Sequence, residues 1–251
     1  DFDFFLRTKA NINNNSAVKH TKNLSKILKI CYHNNWIEKD LVIFYKGRFN
    51  EVNVNFLTDE ELSSIREKEF SGKGLELVRD MFVFSCYTGL AYIDIFNLTK
   101  DQLSKGIDGN LWIITNRQKT GSASNIPLLP VAEEIIKKYD NHPVSSNSGK
   151  LLPVYTNQKV NEYLKTIAEN CGINKKLTFH CARHTFATTV TLGNNVSMES
   201  VSKMLGHKSI KTTQHYAKIL DSKVSQDMGS LKLVLEKKNE VQKENDKKLG
   251  S

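Results

Sequence analysis

His180, Cys181, Arg183 and His184 lie within five positions of one another in the run HCARHTFATT, residues 180–189. Such a group could hold a metal, hold a phosphate, or hold only its own members. His180 and His184 are spaced i, i+4, close enough on a helix to share a zinc ion. The run lacks the glutamate of an H-E-x-x-H site, however, and it puts the cation Arg183 between the two histidines. No third ligand lies at a recognised spacing, so no metal is expected. His180 and Arg183 are spaced i, i+3 and share a helix face. An arginine offers a fork of donors that matches two phosphate oxygens. A histidine adds another hydrogen bond and can move a proton.

Two other stretches suit the same anion. LGHKSIKTTQHY (205–216) supplies His207 and, nine residues later, Tyr216, with the basic residues Lys208 and Lys211 between them. NRQKTG (116–121) supplies Arg117 and Lys119. Two guanidiniums, an ammonium, two imidazoles and a phenol fit phosphoryl transfer to a tyrosine. Cations hold the non-bridging oxygens as charge builds, the phenol attacks, and a lysine or histidine handles the leaving-group proton. This chemistry needs no cofactor. Each member alone has a packing explanation: a helical tyrosine is usually core or rim, and a lone histidine is more often structural. Cys181 reads as a small buried residue. His184 and His215 adjoin candidates but should point elsewhere, because neighbouring helical residues do not face each other. The ordered set carries the reading.

The elements that must position these groups are mostly helical. Periodicity predicts a helix over 16–36, with Val18, Thr21, Leu24, Leu28, Cys31 and Tyr32 on one side. Lys19, Lys22, Lys26 and Lys29 form a basic stripe opposite, which suits either a solvated face or a track for phosphates. Residues 45–56 read as a linker. Thr58 with Glu61 is a capping box opening a helix, and a second helix, about 73–89, is apolar enough to be buried. Residues 108–130 read as two β-strands with a turn near Thr120–Gly121. Helices are predicted over 131–139, 157–171, 179–192, 198–205 and 210–220, with Gly206 as a left-handed stop. The fold class is therefore mainly α with a small antiparallel β-sheet.

The chain has 251 residues, 39% of them hydrophobic, and a net charge of +9, so a polyanion is the first partner to consider. The charge is uneven: residues 1–56 carry nine Lys/Arg against five Asp/Glu, and 172–221 carry seven against two. Two basic surfaces follow. Four scattered cysteines without CxxC spacing suggest reduced intracellular thiols. No run is long enough for a membrane span and no signal pattern is present. A chain that opens on Asp1 is expected to be part of a longer protein. The apolar patch Leu231, Leu233, Val234, Leu235 precedes a charged, frayed tail.

The sequence resembles the tyrosine recombinases, site-specific integrases that share a catalytic fold with type IB topoisomerases. The likeness runs over about 57–220 and rests on TGLAYIDIFNLT (88–99), NRQKTG, HCARHTFAT and LGHKSIKTTQHYAKI (205–219). The CYTGLAYIDI wording is similar to integrases of phages and conjugative elements in Bacteroidetes. The resemblance implies a partial helical core-binding domain over 1–45, a linker over 46–56, a catalytic domain over 57–221, and a tail over 222–251 that docks on a neighbouring subunit or is disordered. It also implies that Tyr216 is the nucleophile, that His180 and Arg183 form the H-x-x-R pair, that His207 is the next histidine, and that Lys119 is the general acid. The implied partners are double-stranded DNA, three further copies of the chain in a tetramer, and a DNA-bending accessory protein, in the bacterial cytoplasm at the nucleoid.

One position departs from the pattern. The family's first arginine normally follows TGL, where this chain has Ala91, although Asp94 keeps the usual acidic neighbour. Losing one charge-stabilising donor costs about 10²–10³ in rate, so compensation is expected. Arg117, two residues before Lys119 on the hairpin strand, is the candidate because its side chain can point the same way; Arg79 is the runner-up. Ala91 would also suit a crippled or engineered enzyme. Two rivals remain: a type IB topoisomerase, which the core-binding helix and small size argue against, and a non-catalytic DNA-binding regulator, which Ala91 alone supports.

Overall fold

The computed structural model describes residues 2–51 and 54–217, with 228, 229 and 232. The predicted tail, including its apolar patch, lies outside the described residues but for those three, and so do residues 218–220 of the last predicted helix. The chain divides into two compact units, Asp1–Asn53 and Val54–Ser251.

In the first unit, α1 (Phe2–Thr8) packs on α2 (Asn14–His33). Asn13 caps α2 by accepting from the Ser16 amide. Leu6, Ala17, Val18 and Thr21 are buried between the helices. Asp3 ties the unit together: it pairs with Arg7 at 2.7 Å and accepts from Thr21 and Tyr45. Asn14 and Asn15 bond to the backbone of Arg48 and Asn50 and lay that segment along α2. The predicted apolar side is buried at Val18 and Thr21, partly covered at Leu24, Leu28 and Cys31, and open at Tyr32, which is 39% exposed. Lys19, Lys22, Lys26 and Lys29 are all exposed, and Lys22 Nζ stands 4.4 Å from the Phe49 ring centre.

The second unit is mainly helical around one small antiparallel sheet, the predicted class. The Thr58–Glu61 capping box opens α3 (Asp59–Glu67) as expected. The central element is α4 (Lys73–Thr88), whose second half is almost wholly buried. It packs against α3, α6 (Pro130–Tyr139), α8 (Asn157–Asn170) and α9 (Phe179–Thr185). Gly89, at φ 70, ends it in a left-handed cap, and α5 (Tyr92–Asn97) follows. Strands β1 (Leu103–Lys105), β2 (Leu111–Asn116) and β3 (Ala123–Pro127) pair in order, with the buried Ile113 and Ile126 opposite each other. The hairpin was predicted and β1 was not; three residues, Leu-Ser-Lys, carry no strand signal of their own. The short α7 (Pro143–Ser148) was also unpredicted.

The predicted helix over 179–192 is corrected. It is α-helical only to Thr185, then widens into a π turn over Phe186–Thr191. The cause is the threonine-rich run. Thr188 donates to the His184 carbonyl, and Thr191 donates to those of Phe186 and Ala187, which loosens the backbone ladder. The last helices are α10 (Met198–Met204) and α11 (Lys211–Ala217). Among the described residues no helix is long and apolar enough to cross a membrane.

Candidate active site

Arg183 lies on α9 and is 3% exposed. Its Nη1 donates to the Gly89 carbonyl at 2.6 Å, and its Nη2 to the Leu205 carbonyl at 2.5 Å. It thus joins the end of α4 to the end of α10. Burial and the nearby Arg117 lower its pKa to about 10, so it remains a cation at neutral pH. Nη2 also lies 3.2 Å from His207 Nε2. An arginine only donates, so this Nε2 accepts and the ring proton sits on Nδ1, 2.8 Å from Thr213 Oγ1. Burial, then Arg183 and Arg117, hold His207 down at about 4.

Arg117 reaches the same carbonyl from the hairpin. Its Nη1 donates to the Leu205 carbonyl at 2.8 Å, and its Nε forms an ion pair with Asp94 Oδ2 at 2.9 Å, off the hydrogen-bond axis. Asp94 also accepts from the Gln118 and Ala91 amides, so one carboxylate fixes the turn, the start of α5 and the guanidinium. Two guanidiniums therefore straddle a single oxygen. The placement differs from the predicted strand position. Residues 117–121 form the turn itself, closed by Gly121 N to the Arg117 carbonyl at 2.8 Å. Strand alternation does not continue through it: Arg117 points inward while Lys119 is exposed at the tip. Lys119 has no ion pair among the described residues, and its charge still helps lower the His180 pKa, after the partial shielding of that ring from water, Arg183 and Arg117.

Gly206 makes room for this approach. Its φ is 59, and a Cβ there would come within 2.7 Å of Arg117 Cγ. Gly206→Ala is expected to lose about 1–2 kcal/mol of stability from the left-handed backbone alone, read as a lower denaturation midpoint. It should also push Arg117 off the Leu205 carbonyl.

Tyr216, on α11, is 6% exposed and belongs to a small core of Phe186, Ala187, Leu192, Val201 and Leu205. Its ring lies nearly parallel to that of His207, at 11° and 6.4 Å between centres. Burial raises the phenol pKa, and Arg183 and Arg117 pull it back. The hydroxyl lies 3.2 Å from Nδ1 of His184, a residue expected to point away. His184 does turn from Arg183's face, and α11 packs against the π turn on that other side. His180 is exposed, with its ring edge to face with His184 at 4.3 Å. His215, Lys208 and Lys211 are exposed. Arg79 is not part of the site. Its guanidinium pairs with Asp80 and donates to the Arg66 and Lys68 carbonyls, in a network shared with Lys138 and Tyr139.

A sequence model of the phage integrase family covers residues 55–223, more than half of the chain. The chain belongs to the phage integrase family. Its relatives include the tyrosine recombinase XerC of Rickettsia massiliae (strain Mtu5), 30% identical over an alignment of 171 residues that covers 63% of this chain and 50% of that protein. XerC of Rickettsia rickettsii (strain Iowa) is 31% identical over the same length. The chain thus spans about half the length of the curated relatives it matches. Among solved structures, XerH site-specific recombinase bound to palindromic difH substrate, in a post-cleavage complex, superimposes with a TM-score of 0.66 at 18% identity. That match covers 90% of this chain and 70% of the other. A lambda integrase dimer bound to a COC′ core site gives 0.63 at 19% identity, over 81% and 59%. At these identities the likeness carries the fold.

Within this integrase fold, Ala91 caps α5 with no side-chain hydrogen bond of its own. An open groove of about 440 Å³ runs past it, lined by His180, Tyr92, Asn157 and Asn161 among others. Two residues at the site were missed from sequence. His184 was dismissed on helix geometry, and Thr213 gave no signal, since a threonine three residues before a tyrosine is ordinary on a helix.

Proposed function

We propose that this phage integrase chain is the catalytic part of a site-specific DNA recombinase that cleaves and rejoins strands through a 3′-phosphotyrosine. The observation that carries the reading is the convergence of Arg117 and Arg183 on the Leu205 carbonyl beside the His207–Tyr216 stack. Arg183 uses three of its five N–H groups on described partners, and two remain for a phosphate. The Tyr216 oxygen attacks phosphorus, the bond to the 5′ oxygen breaks, and Lys119 protonates that leaving oxygen. The 5′-hydroxyl of a partner strand reverses the step. Bond energy is kept in the ester, so no ATP is consumed. His180, at the mouth, and His207, neutral beside Arg183, complete the phosphate's surroundings. Arg117 takes the part of the arginine replaced by Ala91.

The substrate in this reading is double-stranded DNA at the recombination sites of a mobile element, held by four copies of the chain, with a DNA-bending protein as helper, in the cytoplasm at the nucleoid. The exposed lysine stripe of the first unit meets the duplex backbone, and Lys208 and Lys211 meet it near the site. Footprinting on the DNA that flanks its own gene would define the site. A nicked suicide duplex of that sequence should then trap a covalent adduct. Binding without any adduct would favour the non-catalytic regulator.

Binding should weaken steeply with salt, because both basic surfaces release counterions. Neutralising Lys22 and Lys26 together should flatten the log–log salt slope by about 2 if each meets one phosphate. An unchanged slope would return the stripe to a solvated helix face.

A further inference from the structure

Among the described residues, the Tyr216 hydroxyl has one hydrogen-bond partner, His184 Nδ1 at 3.2 Å. A buried phenol O–H needs an acceptor, and this nitrogen is the one within reach. Nδ1 therefore accepts, and the imidazole proton sits on Nε2. The contact is held from several sides. The His184 ring rests edge to face on His180 at 4.3 Å, and Thr188 Oγ1 donates to the His184 carbonyl at 2.8 Å where the π turn begins. The tyrosine ring is confined between His184, 5.5 Å away, and His207. Burial, then His180 and Arg183, hold the His184 pKa at about 4, so the ring is neutral with a lone pair available at pH 7.

We propose that His184 is the proton acceptor of Tyr216: it orients the phenol and takes its proton as the phenol oxygen bonds to phosphorus. This rests on the reading of Tyr216 as nucleophile. With the O–H directed at Nδ1, the oxygen's lone pairs face away from the imidazole and toward an incoming phosphate. Transfer before attack would be costly, since a phenol raised above its ordinary pKa faces an imidazole near 4. Transfer therefore accompanies attack, as the oxygen loses basicity to phosphorus. The Oη–P bond forms while the Oη–H proton moves to Nδ1. The P–O5′ bond breaks, its electron pair stays on O5′, and Lys119 protonates that oxygen. In rejoining, a 5′-hydroxyl bonds to phosphorus and gives its proton back to Lys119, the Oη–P bond breaks, and the His184 imidazolium returns its proton to Oη.

The test compares wild type, His184→Phe and His184→Gln on the nicked suicide duplex, made once with the natural 5′ oxygen and once with a bridging 5′ sulfur. A sulfur leaving group needs no protonation, so it rescues loss of a general acid but not loss of the nucleophile's acceptor. His184→Phe is expected to form adduct about 10²-fold more slowly on both duplexes, with circular dichroism and gel-shift affinity unchanged. His184→Gln keeps an acceptor of similar size but cannot hold the proton, and should lose about 10-fold. It decides the matter if the phenylalanine variant does not fold. A folded variant within about threefold of wild type overturns the proposal, as does rescue by sulfur. If wild type itself forms no adduct, the recombinase reading fails and His184 falls with it.

Discussion

Tyr216→Phe is expected to bind DNA nearly as wild type and to form no covalent adduct. The change removes one oxygen from a ring that is 6% exposed and packed among Phe186, Ala187, Leu192, Val201 and Leu205. All of that apolar burial is kept. The hydroxyl's partner among the described residues is His184 Nδ1, and a net protein hydrogen bond is worth about 1 kcal/mol. The fold should therefore survive, with a stability change of about that size. The cations that would meet DNA near the site, Arg117, Lys119, Arg183, Lys208 and Lys211, are untouched. Catalysis has no such reserve, because the Tyr216 hydroxyl is the attacking group of the proposed reaction. The assay is an SDS-resistant protein–DNA band on the suicide duplex. A band that survives the substitution removes Tyr216 from the role and returns it to the small core in which it packs.

The sequence showed the parts of this site better than their placement. The H-x-x-R spacing and the step of nine from His207 to Tyr216 are local features, the first set within a helix and the second across the tight turn that leads into one. Gly206 was legible for the same reason: a left-handed stop has its own residue type. What failed is whatever a distant segment decides. Whether His184 meets Tyr216 depends on where α11 packs, which no local spacing encodes. The π turn after Thr185 comes from threonine hydroxyls competing for carbonyls, a pattern that reads as plain helix by periodicity. Arg117 does not follow the strand alternation that its spacing from Lys119 suggests; it reaches across Gly206 to the Leu205 carbonyl.

Arg117→Ala is expected to slow cleavage by about two to three orders of magnitude while leaving DNA affinity within a few-fold. The guanidinium pairs with Asp94, whose other hydrogen bonds among the described residues are with the Ala91 and Gln118 amides, and it shares the Leu205 carbonyl with Arg183. A loss of rate alone would not separate charge stabilisation from a loosened hairpin, because the same side chain tethers the turn. Ala91→Arg separates them. In the wild-type background it should help little, since a third guanidinium would be repelled by the two present. In the Arg117→Ala background it should restore part of the rate, because the groove of about 440 Å³ beside Ala91 and His180 has room for the side chain. A loosened turn would not be repaired from α5. The double-mutant cycle therefore has a predicted sign, with the new arginine favourable only where the old one is gone. If Arg117→Ala cleaves normally, compensation from the hairpin is wrong. Arg79 then offers no alternative, since its donors are committed to Asp80 and to the Arg66 and Lys68 carbonyls.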